Sequence, residues 1–234
     1  ANGVEALGAL SIQGLSEAGR IALFALDVLR RLPRRPYRIA ELLRHMREIG
    51  FGTMFIVILT GLFTGLVFGF ETMVAFRRFG AEHLAGPIAM TAITHALAPV
   101  LTALMVAGRS GSGMATELGT MRVTEQIDAL QTLAVSPLQY LVVTRVLAAI
   151  AMLPLLCAVF DVCGLVGVYL MGVVKEGVDP GTFFSETWRA LDPPDFVEGY
   201  IKAAVFGGII AIISCYKGMR AKGGARGVGL AATE

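Results

Sequence analysis

The residues most able to do chemistry lie in one polar stretch between two long apolar runs. Residues 107–113 read AGRSGSG, and residues 117–130 read ELGTMRVTEQIDAL. A phosphate-binding loop needs a lysine after its last glycine, but Met114 follows Gly113. Residues 227–232 match a dinucleotide fingerprint only superficially, because no strand signal precedes them. Neither segment therefore predicts a nucleotide site.

The other reactive side chains are scattered along the chain. The histidines occur singly, without the spacing of metal ligands, and they are His45, His83 and His95. The cysteines lie within apolar runs, where they behave as small buried hydrophobes, and they are Cys157, Cys163 and Cys215. No nucleophile stands beside a base. We therefore predict that the chain is not an enzyme and binds no metal or cofactor itself.

The composition is that of a membrane protein. Of the 234 residues, 55% are hydrophobic and only 16% are charged, whereas soluble domains carry about 25% charged residues. The 28 glycines suit transmembrane helices, because small residues let backbones approach closely. A net charge of +2 gives no support for nucleic-acid binding. The predicted fold class is an all-α polytopic membrane protein.

Hydropathy predicts four transmembrane helices, and they cover residues 51–76, 84–107, 148–174 and 199–216. The first reaches about 39 Å at 1.5 Å per residue, enough to cross a hydrocarbon core of about 30 Å. The apolar run from 138 to 174 is too long for one crossing. We interpret it as a short interfacial helix to about Arg145, followed by a span broken near Pro154.

The first 49 residues have a different pattern. Residues 14–32 show an amphipathic helical period, Pro33 and Pro36 interrupt it, and residues 37–48 restart a basic helix. Such helices commonly lie in the plane of the membrane interface. A soluble helical cap is the alternative.

Lysine and arginine positions predict the orientation, because cytoplasmic loops carry an excess of both. Eight arginines lie in residues 1–49, and seven further basic residues lie in residues 108–145 and in the tail. Four lie in the opposite loops, and residues 175–198 carry six carboxylates. The N-terminus, residues 108–145 and the tail are therefore predicted to be cytoplasmic.

Residues 117–133, here named the docking segment, predict an amphipathic helix ending before Pro137. Its mixture of charged, small and apolar residues suits a helix that docks in a partner's groove, although a solvated connector is the alternative.

Asp161 falls inside the third apolar run, where a charge costs at least about 2.5–3.5 kcal/mol. The Asp161 carboxyl group must therefore face the protein interior, pair with another side chain or be protonated. Its role is either a structural polar contact or gating.

Several motifs resemble the MlaE family, the permease subunits of ABC systems that move lipids with MCE-domain partners in bacteria and in the chloroplast envelope. They are PVLTALMVAGRSGS at 99–112, ELGTMRVTEQIDAL at 117–130, LVVTR at 141–145, LPLL at 153–156 and GGARGVG at 223–229. The resemblance runs from about residue 15 to the end of the chain.

The resemblance implies a single permease domain over 1–234, forming a homodimer in the bacterial inner membrane. It implies an ABC ATPase partner that holds ATP and Mg, an MCE-domain lipid-binding subunit and a small regulatory subunit on the ATPase. The docking segment matches the family's coupling helix, and its candidate ATPase contacts are Glu117, Arg122, Glu125, Gln126, Asp128 and Leu130. A phospholipid would lie between the protomers, and its candidate contacts are Phe68, Met73, Phe76, Phe79, His95 and Leu97.

The chain departs from the family in two places. Many relatives have an Arg-Glu-Leu-Gly-Pro run in the second span, where this chain has HALAP at 95–99, so the acid associated with the lipid pocket is absent. The resemblance also implies a fifth span, which this chain, ending at Glu234, does not include. The alternatives to an ABC permease are an ion-coupled secondary carrier using Asp161 and His95, and a membrane scaffold without transport.

Overall fold

The computed structural model describes residues 2–32 and 38–233, and nearly all of them are helical. The α-helices are α1 (Asn2–Arg31), α2 (Ile39–Arg77), α3 (Ala85–Ala92), α4 (Ala98–Val106), α5 (Ser112–Val123), α6 (Gln126–Thr132), α7 (Val143–Tyr169), α8 (Pro180–Ala190), α9 (Pro193–Met219) and α10 (Gly224–Thr233). A 3₁₀ turn precedes α3 at Glu82–Leu84. Four π-helical segments join or extend the longer helices, and they are π1 (Ile93–Leu97), π2 (Ala107–Gly111), π3 (Leu138–Val142) and π4 (Leu170–Lys175).

Within the described residues, four helical stretches are long and apolar enough to cross a membrane. They are Ile39–Arg77, Glu82–Val123, Leu138–Lys175 and Pro193–Met219. The prediction of an all-α polytopic membrane protein with four spans is thereby confirmed. Each stretch is longer than the apolar segment predicted from hydropathy, because charged and polar residues also favour helix where the chain leaves the membrane.

The third span differs from the prediction. A separate interfacial helix and a break near Pro154 were expected, but π3, α7 and π4 follow one another without interruption, and Pro154 lies inside α7. A membrane helix can continue through a proline, because neighbouring helices, Ser and Thr side chains and local π-helical adjustments satisfy the freed backbone groups. The prolines of the second span, Pro87 and Pro99, are likewise inside helix.

The first span also begins earlier than predicted. Residues 39–48 were assigned to a separate basic helix, but they form the opening turns of α2. Pro33 and Pro36, which were predicted to interrupt the helix, lie outside the described residues, and so does Tyr37. At about 1.5 Å per residue, the 39 residues of α2 reach about 58 Å, so α2 extends well beyond a hydrocarbon core.

The chain divides into two compact units. The first unit comprises Ala1–Leu42, Gly111–Leu147 and Ala211–Glu234, and the second comprises Leu43–Ser110 and Ala148–Ile210. In the second unit α2 and α7 approach through glycine. A Cβ on Gly167 would lie 2.5 Å from the Leu62 carbonyl oxygen, and one on Gly65 would overlap the Gly164 carbonyl. This close contact is the small-residue packing expected of membrane helices.

In the first unit, α1 packs beside the end of α9. The rings of Phe24 and Tyr216 meet edge to face with centroids 5.5 Å apart, and Arg31 donates a hydrogen bond of 2.7 Å to the Ser136 hydroxyl. Helix α10 packs on α5, where a Cβ on Gly119 would lie 3.5 Å from Cγ1 of Val228. The docking segment therefore belongs to the folded first unit.

Candidate functional site: the docking segment and the polar groups of the spans

The docking segment is two helices, where we predicted one over 117–133. Helix α5 ends at Val123 and α6 begins at Gln126. The turn between them places Glu125 at φ 59°, a left-handed conformation that non-glycine residues adopt at a cost. The Thr124 hydroxyl accepts a hydrogen bond of 3.0 Å from the Gln126 amide. The prediction of a single helix is wrong, because this left-handed turn interrupts the helix at a residue type that does not announce a turn.

An ion pair closes the turn between the two helices. The guanidinium of Arg122 on α5 donates to the carboxylate of Asp128 on α6. Ile127 is buried, Leu130 is half-buried and Leu133 is 72% exposed. The apolar side chains of this region therefore divide between the protein interior and the surface.

Glu117 has a different environment from the rest of the segment. Its carboxylate binds Arg145 at 2.8 Å, and the side chain of Arg145 is only 3% exposed while that of Glu117 is 48% exposed. Arg145 also donates a hydrogen bond of 2.7 Å to the Leu141 carbonyl oxygen. Sequence reasoning missed this pair, although an arginine next to an apolar run signals the need for a partner. The pair attaches α5 to the start of the third span.

A second attachment joins α5 to α9. A Cβ on Gly218 would lie 2.7 Å from the Ala115 carbonyl oxygen and 2.8 Å from the Leu118 Cβ. Leu118 is fully buried. Because Gly218 of α9 packs directly against Ala115 and Leu118 of α5, a displacement of α5 is expected to move the end of α9.

The surface left for a partner lies at the turn and on α6. Glu125, Gln126, Ala129 and Leu133 are exposed, and Glu125 makes no ion pair within the described part of the chain. An acidic residue, an amide and an apolar anchor close together at a turn between two helices can bind a groove on another protein. Of the predicted ATPase contacts, Glu125 and Gln126 are therefore available, whereas Glu117, Arg122 and Asp128 also pair within the unit.

The lipid-contact candidates occupy varied environments in the second unit. Phe68, Phe76 and Leu97 are half-buried, and Phe79 is 82% exposed. Met73 is buried, and its terminal methyl group would lie 2.7 Å from a Cβ on Gly172, so it packs within this chain. The exposed apolar residues of α2 include Phe51, Phe55, Phe63 and Val67, which gives this helix a broad surface for lipid or for a second protomer.

His95 lies on π1 within a charged cluster, here named the His95 cluster. Its Nε2 is 3.1 Å from Asp195, its Nδ1 is 3.8 Å from Glu198, and Lys202 binds Glu198 at 2.6 Å. The Lys202 ammonium also donates to the His95 carbonyl oxygen at 3.3 Å. π-Helical segments free carbonyl groups and recur at functional sites. The cluster therefore combines two carboxylates and an ammonium group beside the imidazole.

Asp161 is buried within the second unit. Its carboxyl group faces the hydroxyl groups of Thr94 and Tyr200, but neither oxygen makes a hydrogen bond of normal geometry to a described residue. Its side chain is 4% exposed, which is the interior-facing case among the three alternatives given above. Among the described residues, no three histidine, cysteine or acidic side chains are placed to hold a metal ion.

Comparison with known proteins agrees with these features. The family described as Permease MlaE matches residues 42–234. A probable ABC transporter permease protein of Rickettsia bellii is 40% identical over 99% of this chain and 90% of its own length. The intermembrane phospholipid transport system permease protein MlaE of Haemophilus influenzae is 32% identical over 99% and 89%. The chloroplastic protein trigalactosyldiacylglycerol 1 of Arabidopsis thaliana is 37% identical over 82% and 55%. The chain therefore belongs to the MlaE family of permeases, as a permease subunit of an ABC transporter.

Proposed function

We propose that this permease moves phospholipids between membranes, driven by an ATPase that docks on the turn between α5 and α6. The proposal rests on the attachment of α5, which leads into this exposed turn, to two spans. The Glu117–Arg145 ion pair joins α5 to α7, and the close packing at Gly218 joins α5 to α9. A polar hairpin that is both accessible and rigidly fixed to two spans is suited to transmit force. The name of the Haemophilus relative, which specifies phospholipid transport, supports the choice of cargo.

The movement of the ATPase would reach the spans through these contacts. ATP and Mg would bind the partner, and closure of the ATPase pair would push on Glu125 and Gln126. The ion pair between Arg122 and Asp128 would help α5 and α6 to move together. The displacement would therefore pass to α7 and α9 and open or close a lipid pocket between two copies of the chain.

An apolar pocket suits this cargo. Each buried methylene of an acyl chain contributes about 0.8 kcal/mol, so few polar contacts are needed beyond the head group. Phe68, Phe76, Phe79 and Leu97 would contact the acyl chains, and the His95 cluster would lie near the head group. An MCE-domain subunit would receive or deliver the lipid on the side of the acidic loop at 175–198, with the N-terminus and the docking segment in the cytoplasm of a bacterium and the chain in its inner membrane.

Reconstitution with the cognate ATPase tests the docking step. Glu125→Arg reverses one exposed charge at the turn and is expected to lower ATPase stimulation and lipid transfer by tenfold or more, roughly the 1.4 kcal/mol of one well-placed interfacial charge. Asp27→Arg is the matched control, because Asp27 is an exposed carboxylate of α1 in the same unit. It should leave both activities near their original values.

Two results would contradict the proposal. Equal losses in the Glu125 and Asp27 variants would mean that the turn is no special contact. Lipid transfer driven by a proton gradient without the ATPase would instead favour the ion-coupled carrier.

A further inference from the structure

Two adjoining cavities lie in the first unit, on the side of the docking segment. The smaller, here named the basic cavity, has a volume of about 390 Å³, and the larger, here named the groove, has a volume of about 850 Å³. Helix α1 and the end of α9 form walls of both, and residues 131–138 close the groove. Arg20, Tyr216 and Arg220 line both cavities, so the two form one continuous depression.

The basic cavity carries an excess of positive charge. Its cationic lining residues are Arg20, Lys217, Arg220 and Lys222. Glu17 is the one carboxylate among the described residues that line it, and Lys217 binds that carboxylate at 3.1 Å. The charges of Arg20 and Arg220 also reach Glu17, but neither arginine lies within 4 Å of a described carboxylate. A cavity with this imbalance favours an anion.

The arginine between the cavities is held in place. The Arg220 guanidinium donates a hydrogen bond to the Tyr216 hydroxyl and lies 5.1 Å from the centre of that ring. Tyr216 is itself packed against Phe24. A guanidinium fixed in this way presents its remaining donors with little loss of side-chain entropy, which suits phosphate recognition.

The groove is apolar along much of its length. Its apolar lining residues include Leu23, Phe24, Val135, Leu138 and Met219. Leu23 is 65% exposed, and further along α1 Leu15 and Leu29 are also exposed. An amphipathic helix with such a face lies in a membrane interface, which would bring the groove to the level of the lipid head groups.

We propose that these cavities form a binding site for a phospholipid with an anionic head group. The phosphate would lie in the basic cavity against Arg20 and Arg220, and an acyl chain would follow the groove beside Leu23 and Leu138. Basic pockets at the cytoplasmic ends of membrane helices bind anionic lipid head groups in this way. The site is distinct from the transport pocket of the proposed function, because all of its lining residues belong to the first unit.

The apolar groove decides between a lipid and a soluble anion. Free phosphate would satisfy the arginines but would leave the apolar side chains of the groove in contact with water, which is unfavourable. An acidic peptide would have the same difficulty unless it carried an apolar flank. A phospholipid supplies the anion and the apolar chain together.

Native mass spectrometry of the whole chain, released from nanodiscs of mixed phosphatidylglycerol and phosphatidylcholine, tests the proposal. The wild type should retain phosphatidylglycerol in preference to phosphatidylcholine. The double variant R20Q/R220Q should lose that preference by roughly thirtyfold, the effect expected for two basic residues near an anionic lipid. The matched control R30Q/R226Q removes the same charge from exposed positions outside the cavities and should retain it.

A second measurement does not depend on the variants folding. Phosphatidylglycerol with a photoreactive acyl chain should label residues 131–138 of the wild type, and inorganic phosphate should not prevent the labelling. Equal lipid loss in both double variants would overturn the proposal, as would labelling confined to other segments. Loss of labelling in phosphate would also overturn it, in favour of a soluble anion. None of these outcomes depends on lipid transfer, so they are separate from the test of the proposed function.

Discussion

Replacing Glu117 by Gln should destabilise the first unit, and the size of the effect follows from the burial of its partner. The Arg145 side chain is 3% exposed, and its Nε already has no hydrogen-bond partner in the described structure. Removing the carboxylate leaves a buried cation without a counter-charge, a change that costs about 3–5 kcal/mol in proteins. Since Glu117 is itself half-exposed, water can partly replace it. The expected loss is therefore near the lower value, about 3 kcal/mol.

A double-mutant cycle isolates this interaction. Arg145→Met removes the buried charge and keeps much of the apolar volume. In that background Glu117→Gln should cost under about 0.5 kcal/mol, the usual range for a surface substitution. The free energy of unfolding, measured in mixed micelles titrated with a denaturing detergent, gives all four corners of the cycle. Glu125→Gln is the control, because Glu125 is exposed in the same segment and should change stability by a similarly small amount.

The cycle can refute the reasoning directly. An equal cost of Glu117→Gln with and without Arg145 would show that the two side chains do not stabilise one another. The observed 2.8 Å contact would then be energetically neutral, and the proposed attachment of α5 to the third span would lose its support.

Two further predictions concern packing and pH. Gly65→Ala should destabilise the second unit by about 1–3 kcal/mol, because the added methyl group would overlap the α7 backbone. Gly113→Ala is the control, because a Cβ at that position would meet nothing within 4 Å. In the same unfolding measurement it should be neutral or stabilising by about 0.4–1 kcal/mol. The Lys217 hydrogen bond lowers the pKa of Glu17 below its ordinary 4.5, so the ionised contact stabilises the docking of α1 above about that pH. That stability is lost as the pH falls through the lowered pKa, and proteolysis of α1 should rise in that window in the wild type but show no such transition in Glu17→Gln.

The sequence was sufficient to predict the fold class and the number of spans. Hydropathy found all four spans, because each contains an apolar core long enough to cross a bilayer. It did not find their ends. Helix α2 begins at Ile39, among charged residues that hydropathy treats as outside the span, because backbone bonding continues beyond the apolar part.

The geometry of the candidate sites depended on contacts that a linear pattern does not contain. The left-handed turn at Glu125 has no glycine or asparagine to announce it. The partners of Arg145 and His95 come from other helices. The sequence could predict that each needs an acidic partner, but it could not predict which acidic residue that is. Met73 had the apolar character of a lipid contact, yet its packing against Gly172 follows only from the fold.

Three consecutive residues at the end of α9 connect the two proposals. Tyr216 and Lys217 line the basic cavity, and Gly218 meets the backbone of α5. A ligand that fixes Tyr216 and Arg220 therefore also restricts the last turn of α9, against which the docking segment bears. Because Gly218 packs closely against Ala115 and Leu118 of α5, the proposed lipid and the proposed ATPase contact would act on the same helix end. The lipid composition of the surrounding leaflet would then influence how strongly the ATPase is coupled to the spans, through a contact that lies entirely within the first unit.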